Sequence, residues 1–581
     1  MLERNLTERG LRANEVPHEQ PDGRVVRAGC PEASDPRASA WWNSSVPFLG
    51  AAVLLGLVQA WMTRFYMGND GVPYLDMADA YLRGDWHTAL NGYWNPLYAW
   101  LIGLDFLILR PSPYWEYPAV QLLNLGIYVL TVAAFEYFVR GLLAGKRRDE
   151  VVAVRVIAYV LFLWSSLILI RVWTVNADML VAACFYFALG LLLRAHSTKT
   201  TTVPASVMLG ITLAAGYYCK AVMFPLSLGL LFVASIVLPR RRALVAALVF
   251  CLLSAPLIAG VSKAAGHLTF GDTGKLNYAW YVNGVAFRCW QGGPVQAGQP
   301  EHPPRIALDS PRVYEFGGVF PNVTYPIWYD SSYWYQGLRT WIDPRLLATE
   351  MRSNLKGFVK LVALQAGGFL LGWGICFLLY RNKLGVLQDL ALTWPAWLAS
   401  IGAILLYSAV HIEPRHIAAF ATVLLLTAYS AIHVLDKRIV GGVAATALLW
   451  ALLFSSNTTA RASTYVPWYS TPTNDSWQVA ASLQELGLYP EDKVASVCYS
   501  NRANVIWARL ARVHIVAETD WNVDFWRLSD ADQGRVLGAL AHTGALIAVS
   551  DEPPPNPARA VGWLQVGNSR YYAHSLSQLR F

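Results

Sequence analysis

A group of carboxylates follows directly on the first long apolar segment of the chain. Asp70 stands between Asn69 and Gly71 in a turn-forming sequence, only a few residues after that segment ends. Asp76 and Asp79 follow at a spacing of three, which places them on one face of a predicted helix. Asp70 is the first candidate for a catalytic acid or base, and Asp76 is the alternative. Solvated acids with a helix cap are the other interpretation of this segment.

Three further short segments between apolar runs carry ionisable side chains. The first holds Arg171 and Asp178, the second Lys220, and the third His411, Glu413, Arg415 and His416. Neighbouring elements with short connections usually pack together, so Asp178 is expected to converge with Asp70. Ordinary alternatives exist for each segment, such as an Arg–Asp pair that only supports the structure or a lysine that snorkels from a helix end. The two histidines lack HExxH spacing, which disfavours a zinc site.

The composition requires that these segments be positioned by apolar helices. Charged residues make up 14% of the 581 residues and AVILMFWYC make up 55%, whereas charged residues are about 25% of a typical soluble protein. Such a chain predicts an α-helical multi-pass membrane protein and excludes a cytosolic enzyme, a disordered scaffold and a disulfide-rich secreted domain. Its net charge of +8 comes from short basic clusters between apolar runs, which argues against nucleic acid as a partner.

Runs of about 20 apolar residues are long enough to span a bilayer, and the sequence predicts eleven of them. They lie near 47–66, 118–139, 151–171, 179–194, 203–219, 221–238, 243–261, 357–380, 390–409, 417–435 and 439–456. Segment 96–109 is apolar but has only 14 residues and contains Asp105, so we predict an interfacial or re-entrant helix there.

The distribution of basic residues gives the predicted orientation. With 96–109 left out, thirteen Lys and Arg residues fall in the loops on one side, which the positive-inside rule assigns to the cytoplasm. The amino terminus is then inside, with residues 1–46 as a disordered cytoplasmic tail, and the carboxyl end is outside. The predicted membrane domain is 47–456, with external loops 67–117 and 262–356.

The two large external pieces differ in character. Loop 262–356 is rich in Tyr, Trp and Phe, which predicts either an interfacial aromatic belt or a platform that stacks on sugars. Its GDTGK sequence at 271–275 lacks the spacing of a phosphate-binding P-loop. Residues 457–581 alternate short β-branched runs with amphipathic ones, which predicts a small extracytoplasmic α/β domain.

The order of these features resembles a known family. An acid follows the first span, WNPLYAW opens a surface helix at 94–100, and NAD at 176–178 precedes a Leu-rich span; a Lys-x4-Pro turn and an E-P-R-H turn follow. This order over about 45–456 resembles the GT-C superfamily of polyprenyl-phosphate-sugar-dependent glycosyltransferases, in its protein-mannosyltransferase and aminoarabinose-transferase branch. Many members of that branch have Asp-Glu where this chain has Asn69-Asp70.

The resemblance implies an enzyme that moves a sugar from a polyprenyl phosphate to a hydroxyl of a lipid, glycan or protein acceptor. It implies an integral protein of a bacterial inner or plasma membrane, among membrane lipids, with its site on the extracytoplasmic face. The implied catalytic residues are Asp70, Asp178 and Asp76, and the implied donor-phosphate ligands are Arg415, Lys220, Arg171 and His416. A divalent cation held by Asp70 and Asp178 stays open as a cofactor.

Two functions from other classes compete with this one. A lipid or sugar transporter would also have many spans with polar groups between them, although transporters usually place these groups at mid-membrane. A non-catalytic subunit of an envelope polysaccharide assembly system would keep its function without Asp70. The clustering of ionisable groups at the ends of spans favours the transferase.

Overall fold

The computed structural model describes most of the chain from residue 45 onward, and Ser45–Phe581 forms one compact unit. The described residues are 45–380, 382–432, 437–463, 475–497, 505–555 and 557–577. The predicted tail, 1–46, lies outside the described residues except for its last two positions, so its cytoplasmic location stays a prediction.

Apolar helices form most of the described chain up to residue 463, which confirms the predicted α-helical class. In chain order they are α1 (Val46–Met62), α2 (Gly71–Arg83), α3 (Trp86–Ala89), α4 (Pro96–Leu109), α5 (Glu116–Leu142), α6 (Arg148–Leu163), α7 (Asp178–Thr198), α8 (Val203–Cys219), α9 (Met223–Val237), α10 (Arg240–Ala265), α11 (Thr273–Tyr281), α12 (Pro326–Tyr329), α13 (Ser331–Trp334), α14 (Pro344–Gln365), α15 (Gly367–Leu379), α16 (Lys383–Leu392), α17 (Trp394–Ser408), α18 (Pro414–Ser430) and α19 (Lys437–Ser463). A π-helical segment, Trp164–Ile170, extends α6. Helices suit lipid because they satisfy every backbone hydrogen bond within one segment.

The predicted count of eleven spans is wrong when the length and composition of the helices are considered. Four described helical segments are long and apolar enough to cross a membrane, or six if each bent pair counts as one span. Helices α1 and α8 have 17 residues and α9 has 15. At 1.5 Å per residue they reach about 22–26 Å, short of the roughly 30 Å of a hydrocarbon core. The predicted runs near 47–66 and 221–238 include flanking residues that lie outside α1 and α9.

Two of the predicted spans each cover parts of two helices. Segment 357–380 contains the second half of α14 and all of α15, and these helices meet at 78° at Ala366. Segment 390–409 contains the end of α16 and all of α17, which meet at 76° at Thr393. An apolar run does not reveal a bend, because the residues on both sides of it remain apolar.

The connections between helices gather at two ends of the bundle. Lys146, His196, Lys199 and Asp389, from connections predicted on the inside, line one cavity of about 760 Å³. The connections predicted on the outside gather at the other end, which we call the sheet-side end because it carries a β-sheet. Helix α4, from the segment 96–109, is one of the shorter apolar helices, with 14 residues.

The sheet combines strands from two distant parts of the chain. Its strands are β1 (Arg305–Leu308), β2 (Val313–Glu315), β3 (Lys493–Val497), β4 (His514–Thr519), β5 (Ile547–Ser550), β6 (Trp563–Gln565) and β7 (Tyr572–Ser575). The order is β1-β2-β4-β3-β5-β7-β6, with β3 parallel to β4 and β5 and the other pairs antiparallel. Helices α20 (Asp475–Glu485), α21 (Ile506–Ala511) and α22 (Asp530–His542) complete this part. The hairpin β1–β2 belongs to the 262–356 segment, so that segment and the carboxyl-terminal part share one sheet.

A buried ion cluster joins the carboxyl-terminal part to the helical part. The Arg509 guanidinium in α21 lies 2.9 Å from an Asp76 oxygen, 2.7 Å from Asp79 and 3.0 Å from Glu116. Thr324 donates to Asp76 from both its backbone N–H and its hydroxyl. The Arg509 side chain is only 3% exposed. The alternative catalytic acid, Asp76, is therefore occupied in an internal contact.

We predict that Arg509→Gln strongly destabilises the protein, because three carboxylates then lose a buried cation. Removing one partner of a buried ion pair typically costs about 3–5 kcal/mol. The melting temperature of detergent-solubilised protein, together with proteolysis of the carboxyl-terminal part, measures the effect. The control is Arg535→Gln, which removes an exposed cation paired with Asp532 and should change little. Equal melting temperatures for the two variants would contradict the role given to Arg509.

Candidate functional site

A large cavity opens at the sheet-side end, and most of the predicted site residues line it. Its volume is about 860 Å³. Asp70, Asp178, Lys220, Arg415 and His416 contribute to its wall. These residues come from four separate connections, so the fold brings together groups spread over about 350 positions of the sequence.

A close approach of two backbone segments positions Asp70. Asp70 immediately precedes α2, and the Gly71 N–H donates to the Gly68 carbonyl at 2.9 Å. A Cβ atom on Gly71 would lie 2.4 Å from the sulfur of Met67 and 2.9 Å from Cβ of Val175. Only glycine lets the start of α2 pack against the 172–178 turn without displacing these neighbours. That contact places Asp70 beside the turn that leads to Asp178.

The other charged groups are held at helix ends. Asp178 is the first residue of α7, and its N–H donates to the Asn176 side chain at 2.9 Å. Lys220 follows the last residue of α8 in an extended conformation. Arg415 is in the first turn of α18, directly after Pro414, a residue type favoured at this position. A cation at a helix amino terminus opposes the helix dipole, so Arg415 needs carboxylates beside it.

Arg415 is surrounded by three carboxylates. Its Nη2 donates to Asp70 Oδ2 at 3.1 Å, and its Nε donates to Glu413 Oε2 at 2.7 Å. The same Nε lies 3.6 Å from Asp178 Oδ2. Lys220 Nζ donates to the other Asp178 oxygen at 2.6 Å. Asp178 therefore holds both cations of the site, whereas Asp70 contacts only Arg415.

The two aspartates differ in how far they reach solvent. The Asp178 side chain is 3% exposed, and the Asp70 side chain is 36% exposed. A molecule in the cavity can thus contact Asp70 directly, while Asp178 remains behind its two cations. This difference suits Asp70 to proton transfer and Asp178 to the positioning of Lys220 and Arg415.

Two histidines complete this wall of the cavity. The His416 ring stacks on Tyr407 with centroids 5.1 Å apart, and its Nδ1 is buried without a hydrogen-bond partner in the described part of the chain. The His411 ring stacks on Tyr281, with centroids 4.0 Å apart. Burial lowers the pKa of His411 below its usual value, although Glu413 opposes this effect. The fixed positive charges beside the carboxylates of this wall are those of Lys220 and Arg415.

The structure does not bring Arg171 and Asp76 into this cavity. Arg171 lines a smaller neighbouring cavity of about 340 Å³, which shares Asp70, Glu413 and Arg415 with the large one. Its φ of 72° is in the left-handed region, and its Nε donates to the Ile168 carbonyl at 3.0 Å. Arg171 is therefore near the site but faces away from its main space. Asp76 is in the ion cluster of Arg509.

The charged groups that would hold a cation are already paired. Among the described residues there is no group of three or more His, Cys, Asp and Glu side chains that could bind a metal ion. Arg415 lies between the carboxylates of Asp70, Asp178 and Glu413, at the position where a shared cation would have to bind. This donor set does not fit a resident divalent cation, because a guanidinium already neutralises it.

Part of the cavity wall was not identified from the sequence. Tyr93, Trp94, Phe287 and Trp328 form an aromatic side of the cavity. Their rings contact one another, with Trp94 and Trp328 centroids 6.0 Å apart and Phe287 and Trp328 centroids 5.6 Å apart. For Phe287 and Trp328 the density of aromatic residues in 262–356 was the available signal, and it left a belt and a platform equally open; Tyr93 and Trp94 lie outside that segment.

The segment 267–278 also lines the cavity and supplies a further cation, Lys275. GDTGK at 271–275 is not a P-loop, yet it lies at the edge of the candidate site. Lys275 has no ion-pair partner among the residues that the structure describes. The sequence offered no spacing rule that would have singled it out.

No family model matches the sequence, and no curated protein matches it. Solved structures do resemble the chain. One is ArnT from Cupriavidus metallidurans in the apo state, with a TM-score of 0.54 at 13% identity over 94% of this chain and 99% of ArnT. The same enzyme bound to undecaprenyl phosphate gives a TM-score of 0.53 at 12% identity over the same shares. The apo oligosaccharyltransferase of Archaeoglobus fulgidus gives 0.48 at 14% identity over 88% and 70%.

The match to ArnT extends over nearly the whole of both chains. At this identity it shows a common fold. The fold agrees with the one that the order of motifs led us to expect. The carboxyl-terminal part, which the motifs did not cover, is included in the matched length.

We predict that Lys220 and Asp178 are energetically coupled. Lys220→Met leaves the Asp178 carboxylate buried with only the more distant Arg415, whereas Asp178→Asn leaves Lys220, which is 23% exposed, able to reach water. Lys220→Met should therefore be the more destabilising single change, and adding Asp178→Asn should restore part of the loss. A coupling of about 0.5–3 kcal/mol is typical of contacting pairs. Melting temperatures of the two single variants and the double variant test this, and additive effects would contradict it.

Proposed function

We propose that the protein is a membrane glycosyltransferase that moves a sugar from a polyprenyl-phosphate donor to a hydroxyl acceptor. The observation that carries the proposal is Arg415, which pairs with Asp70 and Asp178 in the wall of the large cavity. A reachable carboxylate, two cations and an aromatic wall then border one space. These are the groups that transfer from a lipid phosphate requires.

The donor fits the division of the cavity into charged and apolar parts. Its phosphate would bind Lys220 and Arg415, because charge-assisted hydrogen bonds to phosphate are the strong ones. Leu268 and Phe270 line the same cavity and are exposed, at 87% and 39%. They offer an apolar rim along which a polyprenyl chain could leave toward lipid. The fold supports this donor class, since the solved ArnT structure of the same fold is bound to undecaprenyl phosphate.

Asp70 is the proposed general base. It takes the proton from the acceptor hydroxyl, whose oxygen attacks the anomeric carbon of the donor sugar. The bond between that carbon and the phosphate oxygen breaks, and the phosphate leaves with the electron pair. Negative charge grows on the phosphate during this step, so preorganised cations bind the transition state better than the ground state. A single displacement of this kind inverts the anomeric centre, as the family resemblance implies.

Asp178 is the proposed positioning residue. Its oxygens hold Lys220 at 2.6 Å and face Arg415 at 3.6 Å. Both cations therefore keep their direction while their other N–H groups remain for the phosphate. A bound acceptor stacks on the aromatic side formed by Tyr93, Trp94, Phe287 and Trp328.

The proposed location is an integral membrane protein with the sheet-side end outside the cytoplasm. The bias of thirteen basic residues toward the opposite connections supports this orientation. In this orientation the site lies where the headgroup of a lipid-linked sugar emerges from the outer leaflet. The transporter and the assembly subunit remain the competing functions that the following experiment separates from the transferase.

We predict that Asp70→Asn lowers turnover by about 10²-fold or more, the usual contribution of a positioned general base. The amide is nearly isosteric and still accepts from Arg415, so melting temperature and donor affinity should change little. Purified protein is assayed for transfer of labelled sugar from a polyprenyl-phosphate donor. The matched control is Asp85→Asn, an acid of the same segment that caps α3 through the Thr88 N–H, and Asn caps equally well.

Normal turnover of Asp70→Asn would remove Asp70 from the reaction. Normal turnover with a strong loss in Asp76→Asn, at unchanged stability, would move the base to Asp76. If all aspartate variants and the unmodified protein lacked transfer but carried donor lipid across a vesicle membrane, transport would replace the transferase.

A further inference from the structure

Helix α14 carries a row of basic side chains along one face. Arg345, Arg352, Lys356 and Lys360 are separated by seven, four and four positions, a spacing that places them on one stripe of a helix. All four are exposed. Within the part of the chain that the structure describes, none of them has an ion-pair partner. We call these four residues the basic stripe.

The opposite face of α14 is fixed against the bundle. Leu347, Met351, Leu355, Phe358 and Val362 follow one another at spacings of three and four, and all are buried or half-buried. Their position determines that the basic stripe faces outward. Helix α14 is thus a basic amphipathic helix, a type that commonly lies at membrane surfaces.

A hydrogen bond indicates at which end of the bundle α14 lies. Asn354 Nδ2 donates at 3.0 Å to the carbonyl of Ser408, the last residue of α17 before the connection to α18. That connection belongs to the sheet-side end. The basic stripe therefore lies at the level where the bundle ends.

The bend between α14 and α15 gives the helix its orientation. Helix α15 is wholly apolar over its 13 residues, and Leu371, Leu378 and Leu379 are exposed on it. Such a helix is expected to run among lipid chains. Because α14 meets it at 78°, an α15 that runs along the membrane normal would place α14 close to the plane of the membrane surface.

Apolar side chains border the basic stripe on both sides. Leu346 and Leu364 lie on one side of it and Val359 on the other, with exposed fractions of 42%, 43% and 63%. A helix face turned to water does not require exposed apolar side chains at its edges. A face at the lipid boundary does, since the apolar edges enter the acyl region while lysine and arginine reach the headgroups.

We propose that the basic stripe of α14 binds the phosphate headgroups of anionic phospholipids in the surrounding bilayer. Charge complementarity selects this occupant, because four unpaired cations in a row match the repeated negative charges of a lipid surface. The apolar borders favour a lipid over a soluble anion. The proposal is independent of the transfer reaction, since none of the four residues lines the large cavity.

The stripe ends next to the candidate site. Lys360 lines a separate cavity of about 460 Å³, which Ile412 and Pro414 also line. Pro414 precedes Arg415 in the turn that enters α18. A headgroup bound at Lys360 would therefore pack against the turn that carries Arg415.

The test measures which lipids the full-length protein retains. Protein reconstituted in bilayers of equal phosphatidylglycerol and phosphatidylcholine is extracted in mild detergent, and its bound lipids are counted by native mass spectrometry. We compare Arg352→Gln/Lys356→Gln with the control Arg527→Gln/Arg535→Gln. The control also removes two exposed cations, but these lie in the carboxyl-terminal part and are each paired with an aspartate.

We expect the lipids retained by the unmodified protein to be enriched in phosphatidylglycerol. In the α14 variant this enrichment should be at least fivefold lower. Fivefold corresponds to about 1 kcal/mol, the typical value for one basic residue near an anionic surface. The control variant should keep its enrichment, and higher salt should weaken retention in the unmodified protein.

Unchanged enrichment in the α14 variant, or an equal loss in the control, would overturn the proposal. It would also be overturned if the variant kept its lipids but lost affinity for an acceptor substrate, which would assign the stripe to acceptor binding. Lipid retention is read without any transfer assay. Failure here is consequently distinguishable from failure of the proposed glycosyltransferase function.

Discussion

Charged groups at the end of an apolar helix bundle have to neutralise one another, and this constraint organises the sheet-side end of the protein. Asp178 is almost fully buried, and an isolated carboxylate there would cost several kcal/mol. Lys220, at the end of α8, and Arg415, at the start of α18, offset that cost. The need for neutrality thus fixes the starts of α7 and α18 against the end of α8. The large cavity lies where these three helix ends meet.

Helix α2 connects this cluster with the second buried cluster. Its start carries Asp70, which Arg415 holds, and its middle carries Asp76, which Arg509 holds. The two acids are six positions apart, or roughly 9 Å along a helix. The carboxyl-terminal part does not line the site but helps to position it. Its Arg509 holds α2, and the proposed base, Asp70, directly precedes α2. This gives the carboxyl-terminal part a physical role in the proposed transfer reaction.

Much of the site could be predicted because its residues are exceptions in an apolar sequence. Asp70, Asp178, Lys220 and Arg415 each stand at the end of an apolar run, where a charge is costly and thus conspicuous. The partnership of Asp76 with Arg509 could not be predicted, since 433 positions separate the two residues and no local spacing connects them.

The errors in the fold have a similar cause. The sequence shows where apolar residues are, but the direction of α14 relative to α15 depends on packing that a hydropathy pattern does not contain. The same applies to residues 305–315 of the external loop 262–356, for which the sequence predicted no strand and which form the hairpin β1–β2, paired with β4 through β2. Arg171 was grouped with the other cations by its position in the same turn as Asp178. Its left-handed backbone directs it to the neighbouring cavity instead.

The central claim is that a polyprenyl-phosphate sugar is the donor that reacts in the cavity around Arg415. Mass spectrometry of the lipids from a strain that lacks the protein tests this claim most directly. We expect one polyprenyl-phosphate-linked sugar to accumulate in that strain and to return to its normal level when the unmodified protein is restored, but not when Arg415→Ala is restored at equal abundance. A lipid profile identical to that of the parent strain would contradict the account.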